Sequence, residues 1–150
     1  MLHFNRKTEY ALLAIEHMIQ KESEGTPLTS TREIAEICHI PYPLLAKVLQ
    51  KLALKGLVKS VQGTKGGYVL TKKPSDITVA HIVEIFDGPF AVAECFNGEK
   101  ITCPQWNGCL IKSPFYELNY KIYTLLSQTT VADLAMKQTK ESLAKERVLL

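Results

Sequence analysis

No stretch of this sequence approaches the roughly 18 to 20 consecutive apolar residues that cross a bilayer. The amino end, MLHFNRKTEY, also lacks the apolar run of a secretory signal. A soluble chain working in the cytoplasm is the expectation. Catalytic signatures are missing too. No grouping of serine, histidine and carboxylate marks a hydrolase, the four histidines are scattered, and GTKGG falls short of the phosphate-binding pattern G-x4-G-K-S/T. The expectation is that the chain is not an enzyme. Internal repeats and low-complexity segments are absent as well. With 150 residues and 46% apolar composition, the chain suits a compact domain and an appended helical arm.

Acidic residues are absent from one region only. Residues 41–75 carry seven lysines and no Asp or Glu, whereas residues 1–40 carry four basic and six acidic side chains and residues 76–150 carry seven and nine. The net charge of +3 is therefore concentrated in one short segment. A lysine face without any acid points to a polyanionic partner, and nucleic acid is the first candidate.

Helical periodicity gives the lysines a platform. Ala11, Leu12, Ile15, Met18 and Ile19 recur at helical spacing between about Lys7 and Lys21. STRE at 30–33 fits a capping box, in which Ser30 accepts from the backbone N–H three residues on and Glu33 reaches back. Ile34, Ala35, Ile37 and Cys38 follow on that helix, where Cys38 reads as a small packing hydrophobe. The next helix opens near Pro43, buries Leu45, Val48, Leu49 and Leu52, and stops at Gly56. Two helices joined by HIPYP make a helix-turn-helix. Two β-prone runs flanking QGTKGG then predict a hairpin, so the whole reads as a winged helix-turn-helix.

On the second helix of this motif Lys47, Lys51 and Lys55 share a polar face suited to phosphates, while Tyr42, Pro43, Ala46 and Gln50 approach base edges. At the wing tip Gln62, Thr64 and Lys65 are placed for a minor groove. Beyond the wing, Thr78 caps a helix that ends at DGP, and a loop rich in cysteine follows. Ser113 and Pro114 then open a long helix whose Phe115, Leu118, Ile122 and Leu125 alternate by three and four, the pattern of a dimer seam. A short helix near 131–137 and a polar tail complete the chain. The expected fold is mainly α with a small β-hairpin wing: residues 1–88 form the winged helix-turn-helix, 89–113 a cysteine loop, and 114–150 the dimerisation helix, short helix and tail.

Cysteine is scarce, with four in the chain, yet Cys95, Cys103 and Cys109 fall in one short stretch. In a reducing cytosol such a group is more often metal-bound or redox-active than disulfide-paired. The C-x7-C-x5-C spacing lacks the paired C-x2-4-C of a zinc knuckle. Iron–sulfur sites accept wider loops, with three thiolates holding three corners. Zinc and unligated thiols remain open on spacing alone.

The motifs TEYALLAI, IPYPLLAKVLQKLALKGLVKSVQGTKGGYVL, ITVAHIVEIFDG and CPQWNGCLIKSPFYELNYKIYTLLSQTTVADL span nearly the whole chain. Together they resemble the Rrf-type winged-helix transcriptional regulators, the group of IscR-, NsrR- and RirA-like iron–sulfur regulators. In cysteine spacing the chain is most similar to RirA-like members. The resemblance implies a homodimer on palindromic promoter DNA, with an iron–sulfur cluster on Cys95, Cys103 and Cys109, 4Fe–4S ahead of 2Fe–2S. Transcription, as repression in the first instance, would then follow iron supply, cluster status, redox state or nitric oxide. Two departures stand out. Lys112 replaces the histidine ligand of IscR-like members, so the fourth ligand implied by NsrR-like members is Glu9, reaching from the partner subunit. Ala46 stands where an IscR-like reading helix carries glutamate, so the preferred operator need not be an IscR site. The alternatives are a cluster-free winged-helix factor controlled by a partner or small ligand, and a zinc-stabilised DNA-binding module.

Overall fold

A computed structural model describes residues 3–96, 103–137 and 140. Helix α1 spans Arg6–Ser23, and the side chain of Asn5 caps it by accepting from the Thr8 N–H at 3.0 Å. Helices α2, Thr31–Ile37, and α3, Tyr42–Leu54, follow as the expected pair. They are joined at His39, which has φ 54°, the left-handed conformation that turns the chain sharply. At the end of α3 the N–H of Gly56 bonds Ala53 O and the N–H of Leu57 bonds Leu52 O. This is a Schellman stop, and φ 74° at Gly56 is the backbone state that glycine adopts without a Cβ penalty.

Strands β1, Val58–Val61, and β2, Gly67–Leu70, pair antiparallel, with Val58 opposite Leu70 and Val61 opposite Gly67. Thr29, just before α2, pairs with Tyr68 through both backbone hydrogen bonds, at 3.0 and 2.8 Å. The wing is thereby stitched to the entry of the helix-turn-helix. This contact explains the second glycine of TKGG, because a Cβ on Gly67 would lie 2.4 Å from the Thr29 carbonyl oxygen. Gly67→Ala is expected to cost about 2 kcal/mol, within the range for overpacking. Calorimetry should show a Tm lower by about 4–8 °C; an unchanged Tm would mean that the stitch is not tight.

Helix α4, Val79–Asp87, is capped by Thr78, whose hydroxyl accepts from the His81 N–H at 3.1 Å. Helix α5 spans Lys112–Gln128, opening one residue before Ser113, and buries no residue fully. A short α6 follows at 131–137. Its cap is reciprocal: Asp133 Oδ2 accepts from the Thr130 N–H at 2.9 Å, and Thr130 Oγ1 accepts from the Asp133 N–H at 3.2 Å. Thr129 and Val131 pair with Val79 and Ile77, so the chain beyond α5 returns to the first unit, and Val131 is fully buried in its core.

That core is built from Ala11, Ala14, Ile15 and Met18 of α1, Ile34 of α2, Leu45, Val48, Leu49 and Leu52 of α3, and Ile82 of α4. The α1 and α3 sets recur at helical spacing, so these two helices each present an apolar stripe to a centre shared with α2 and α4. Ser30 caps α2 as expected, accepting from the Glu33 N–H at 3.1 Å. Glu33 does not reach back. Its carboxylate instead meets His17 Nε2 at 3.1 Å and Lys21 Nζ at 3.3 Å on α1. Burial alone would raise its pKa, but the bonds from His17 and Lys21 outweigh that and hold it below the usual carboxylate value.

One carboxyl of α1 behaves in the opposite way. Glu16 Oε1 is out of solvent and has no hydrogen-bond partner, and burial pushes its pKa up to about 7. A carboxyl with a raised folded-state pKa costs nothing while protonated in both states. The cost grows as pH rises from 4.5 and is complete above 7. Glu16→Gln is therefore expected to stabilise the fold at pH 8 by about 1–2 kcal/mol, the shift being discounted for solvent on its open side. The gain should fade toward pH 5. Denaturant melts at both pH values check the sign, and an equal gain at each would exclude ionisation as its cause.

Candidate DNA-reading face and cysteine loop

Helix α3 buries Leu45, Val48, Leu49 and Leu52, which fixes the opposite arc as its outward ridge. Pro43, Lys47, Gln50 and Leu54 run along that ridge at spacings of four, three and four, and all four are exposed. Tyr42 and Lys55 are exposed at the two ends, and Ala46 is half-buried beside the core. At the wing, Gln62, Thr64 and Lys65 are exposed at the tip. The structure thus gathers the expected reading residues onto α3 and the adjoining hairpin, with no acid among residues 41–75 to oppose an anion.

Two details were not visible in the sequence. Leu54 is 86% exposed at the end of the ridge, a large apolar group left open to solvent. Its apolar character merged with the core stripe in the sequence, and only the outward angle separates it. Lys51 lies on the flank, with Nζ 5.3 Å from the centre of the Phe86 ring of α4. It is thus both an exposed cation and a clip between the reading helix and α4.

The foot of α1 is tied to the end of α4. Asp87 accepts from the Thr8 hydroxyl at 2.6 Å and from the Asn5 N–H at 3.2 Å, while Asn5 Nδ2 donates to Phe86 O at 3.0 Å. Thr8 is fully buried in making this bond. One turn along, Glu9 accepts from Arg6 at 2.8 Å on the exposed side of α1. Holding α1 and α4 together fixes Glu9 relative to the point where the cysteine loop departs.

Cys95 lies in a 3-10 turn, Glu94–Phe96, while Cys103 and Cys109 flank the turns that lead into α5. All three thiols are half-buried and unpaired. The Cys103 thiol donates to Gln105 Oε1 at 3.3 Å. Between the second and third cysteines, Trp106 carries the Lys112 ammonium over its ring at 4.3 Å, and the same Nζ donates to Trp106 O at 3.4 Å. Lys112 therefore clamps the Cys103–Cys109 segment onto the start of α5. No three cysteine, histidine or carboxylate groups converge to metal-holding distance among the described residues; residues 97–102 lie outside them. Three soft, unpaired thiols in one loop are nevertheless a donor set chemically suited to an iron–sulfur cluster. Cys38 lies outside this loop, at the end of α2, half-buried against the core, and burial raises its thiol pKa.

The long helix divides its apolar residues between two directions. Ile122 and Leu126 line a cleft together with Val83 of α4, and Asn119 Oδ1 accepts from the Val92 N–H at 2.9 Å. Phe115 and Ile122 are half-buried. Leu118 and Leu125 are left 44% and 64% exposed, and Ile111, seven residues before Leu118, is exposed as well. A continuous apolar edge of α5 is thus uncovered in the single chain.

No described helix is long and apolar enough to cross a membrane. A family model described as Rrf2, an iron-dependent transcriptional regulator, matches residues 4–137. The HTH-type transcriptional regulator NsrR of Shouchella clausii is 30% identical over 87% of this chain and 87% of its own. Among solved structures, CymR, the global cysteine regulator of B. subtilis, superposes with a TM-score of 0.73 at 28% identity, covering 91% of this chain and 98% of that one. IscR of T. potens gives 0.71 at 29% identity, covering 94% and 90%. A helix-turn-helix with its wing, matched along almost its full length by such regulators, places this chain in the Rrf2 family of winged-helix transcriptional regulators.

Proposed function

We propose that this regulator binds palindromic promoter DNA as a homodimer and represses transcription according to the state of an iron–sulfur cluster, 4Fe–4S ahead of 2Fe–2S, held by Cys95, Cys103 and Cys109. The observation that carries the reading is the position of the three unpaired thiols. They lie in the loop between α4, which is clasped to α1, and α5, which bears the uncovered apolar edge. Ordering of that loop would add a second brace between reading head and arm, beside the packing of α5 on α4. When bound, the cluster supplies a redox- and ligand-sensitive cross-link among these thiolates. Glu9 of the partner subunit completes the set in this reading. Its surface pair with Arg6 is worth no more than about 1 kcal/mol and yields readily to a metal ligand. Residues 1–88 then act as reading head, 89–113 as sensor and 114–150 as arm. The arm pairs through Leu118 and Leu125, with Phe115 and Ile122 along its inner border.

On DNA, Lys47, Lys51, Lys55 and Lys65 neutralise phosphates, while Tyr42, Pro43, Ala46 and Gln50 face base edges, and Gln62 and Thr64 accompany Lys65 at the minor groove. Lys47→Ala should weaken binding on every sequence and reduce the slope of log affinity against log salt by about 0.9. Lys51→Ala should do the same and also lower stability by about 0.5–1 kcal/mol, because its ammonium leaves the Phe86 ring. A salt series and a thermal melt on the two variants separate these effects. A flat salt response in the parent protein would contradict phosphate binding.

The test of the whole reading is a promoter titration with anaerobically isolated protein, before and after removal of metal by a chelator. At least a tenfold difference in affinity is expected between the two forms. The competing reading, a cluster-free regulator of the same fold, is favoured by the likeness to CymR, the global cysteine regulator of B. subtilis. It predicts equal affinities. A zinc-stabilised module predicts zinc without iron in the isolated protein.

A further inference from the structure

A cleft of about 710 Å³ opens between α1, the end of α2 and α6, within the range of small-molecule sites. It lies on α1 well away from the cysteine loop and is not part of the DNA-reading ridge. Three of its lining residues are large apolar groups left open to solvent: Leu13 at 46%, Ile37 at 56% and Met136 at 58%. Against this apolar wall stands the carboxylate of Glu16, whose Oε1 has no partner. A carboxylate with one oxygen kept from both water and protein donors is costly when charged, and a cation reaching the group from the cleft it lines would offset that cost.

The surrounding groups decide what that donor is. Gln20, one turn further along α1, gives one of its two amide N–H groups to Glu24 at 3.1 Å, and its carbonyl oxygen remains an acceptor. Ser23, also on the rim, donates its hydroxyl to Gln20 O at 2.6 Å and retains lone pairs. Among the described residues that line the cleft, His17 is the only basic one, and its Nε2 is engaged with Glu33. The cleft therefore offers a negative charge, further acceptors on its rim and an apolar wall, with no lysine or arginine among its described lining residues. Such a set matches an ammonium head, which presents three donors and no acceptor, on a short apolar body.

We propose that this cleft is an effector site for a small amphipathic primary amine, its ammonium on Glu16 and its apolar body on Leu13, Ile37 and Met136. The location gives such a ligand a lever. It would bridge the first helix of the helix-turn-helix to α6, the element that follows the α5 arm, and so bias the angle at which the reading head is held. The raised pKa of Glu16 fits the same picture, because a bound ammonium would relieve the desolvation that raises it. The binding site stands on the geometry of the cleft alone; its regulatory consequence rests on the DNA-binding reading above.

The experiment is calorimetric titration of the full-length protein at pH 8 with n-hexylamine, hexan-1-ol and hexanoate, followed by promoter titration with and without saturating n-hexylamine. The amine is expected to bind saturably and at least tenfold more tightly than the alcohol, with no detectable binding of the carboxylate. Glu16→Gln should weaken the amine at least tenfold, and Leu13→Trp, which fills the cleft, should abolish its binding while retaining the charge. Amine and alcohol binding alike, or an amine affinity indifferent to both variants, would overturn the site. Saturable amine binding that leaves promoter affinity within twofold would overturn its role as an effector site. If the amine-free protein failed to bind promoter DNA, that result would fall on the regulator reading, and the calorimetry would still decide the cleft.

Discussion

Alanine at Cys95, Cys103 or Cys109 is expected to abolish the visible absorption of the anaerobically isolated protein and to bring promoter affinity to the level of the metal-free form. A thiolate supplies charge, softness and geometry together, and no neighbouring side chain replaces it. Lys112, next in reach along the chain, is an ammonium already occupied by the Trp106 ring and carbonyl. Cys38→Ala should leave the spectrum intact, because that thiol lies outside the cysteine loop, half-buried against the core at the end of α2. Glu9→Ala is the finer test. A carboxylate is a hard ligand on a soft cluster, so its bond should be the weakest of the four and the first opened by oxygen, nitric oxide or a thiol. The variant should still assemble a cluster on three thiolates but lose it faster in air. If its cluster lifetime matched that of the parent, Glu9 would be only the surface partner of Arg6.

A charge on the exposed edge of α5 carries the second large effect. Leu125→Glu should dissociate the proposed homodimer, since a carboxylate buried without a partner against an apolar counterpart costs several kcal/mol. At 1.4 kcal/mol per tenfold, 3 kcal/mol raises the dimer Kd by about a hundredfold. Promoter binding should fall with it, because two reading heads are then no longer held at a fixed spacing. Leu125 is a better probe than Ile122, which is half-buried and lines a cleft with Val83 in its own chain, so a charge there would disturb the fold as well. Light scattering of Leu125→Glu showing an unchanged dimer would place the interface elsewhere.

The contrast between Leu125 and Ile122 shows where the sequence was informative. Periodicity marks Phe115, Leu118, Ile122 and Leu125 as one stripe, but a stripe does not say which of its edges faces α4. The helix packs with Ile122 and Leu126 inward, and Leu118 and Leu125 are left outside. The helix-turn-helix and wing were legible because their signals are local: the Ser30 cap, the Gly56 stop, and the glycines between two β-prone runs. Features that join distant segments were not. Glu33 looked like half of a capping box, and its actual partners are His17 and Lys21, visible only once α1 lies against α2. The Thr29 pairing that makes Gly67 necessary, the Phe86 ring beneath Lys51, and the cleft closed by α6 over Glu16 are of the same kind. The three cysteines were legible as a group, because thiols are rare enough here for clustering to carry meaning. Their fourth partner was not, since it is sought across a subunit boundary.

The account turns on what those cysteines hold. Iron, acid-labile sulfide and zinc measured together in the anaerobically isolated protein address it most directly. The expected result is iron and sulfide in equal amounts, zinc near zero, and all of the iron lost in Cys103→Ala. Zinc in place of iron, or a metal-free protein that binds its promoter as tightly as one reconstituted with iron and sulfide, would contradict it.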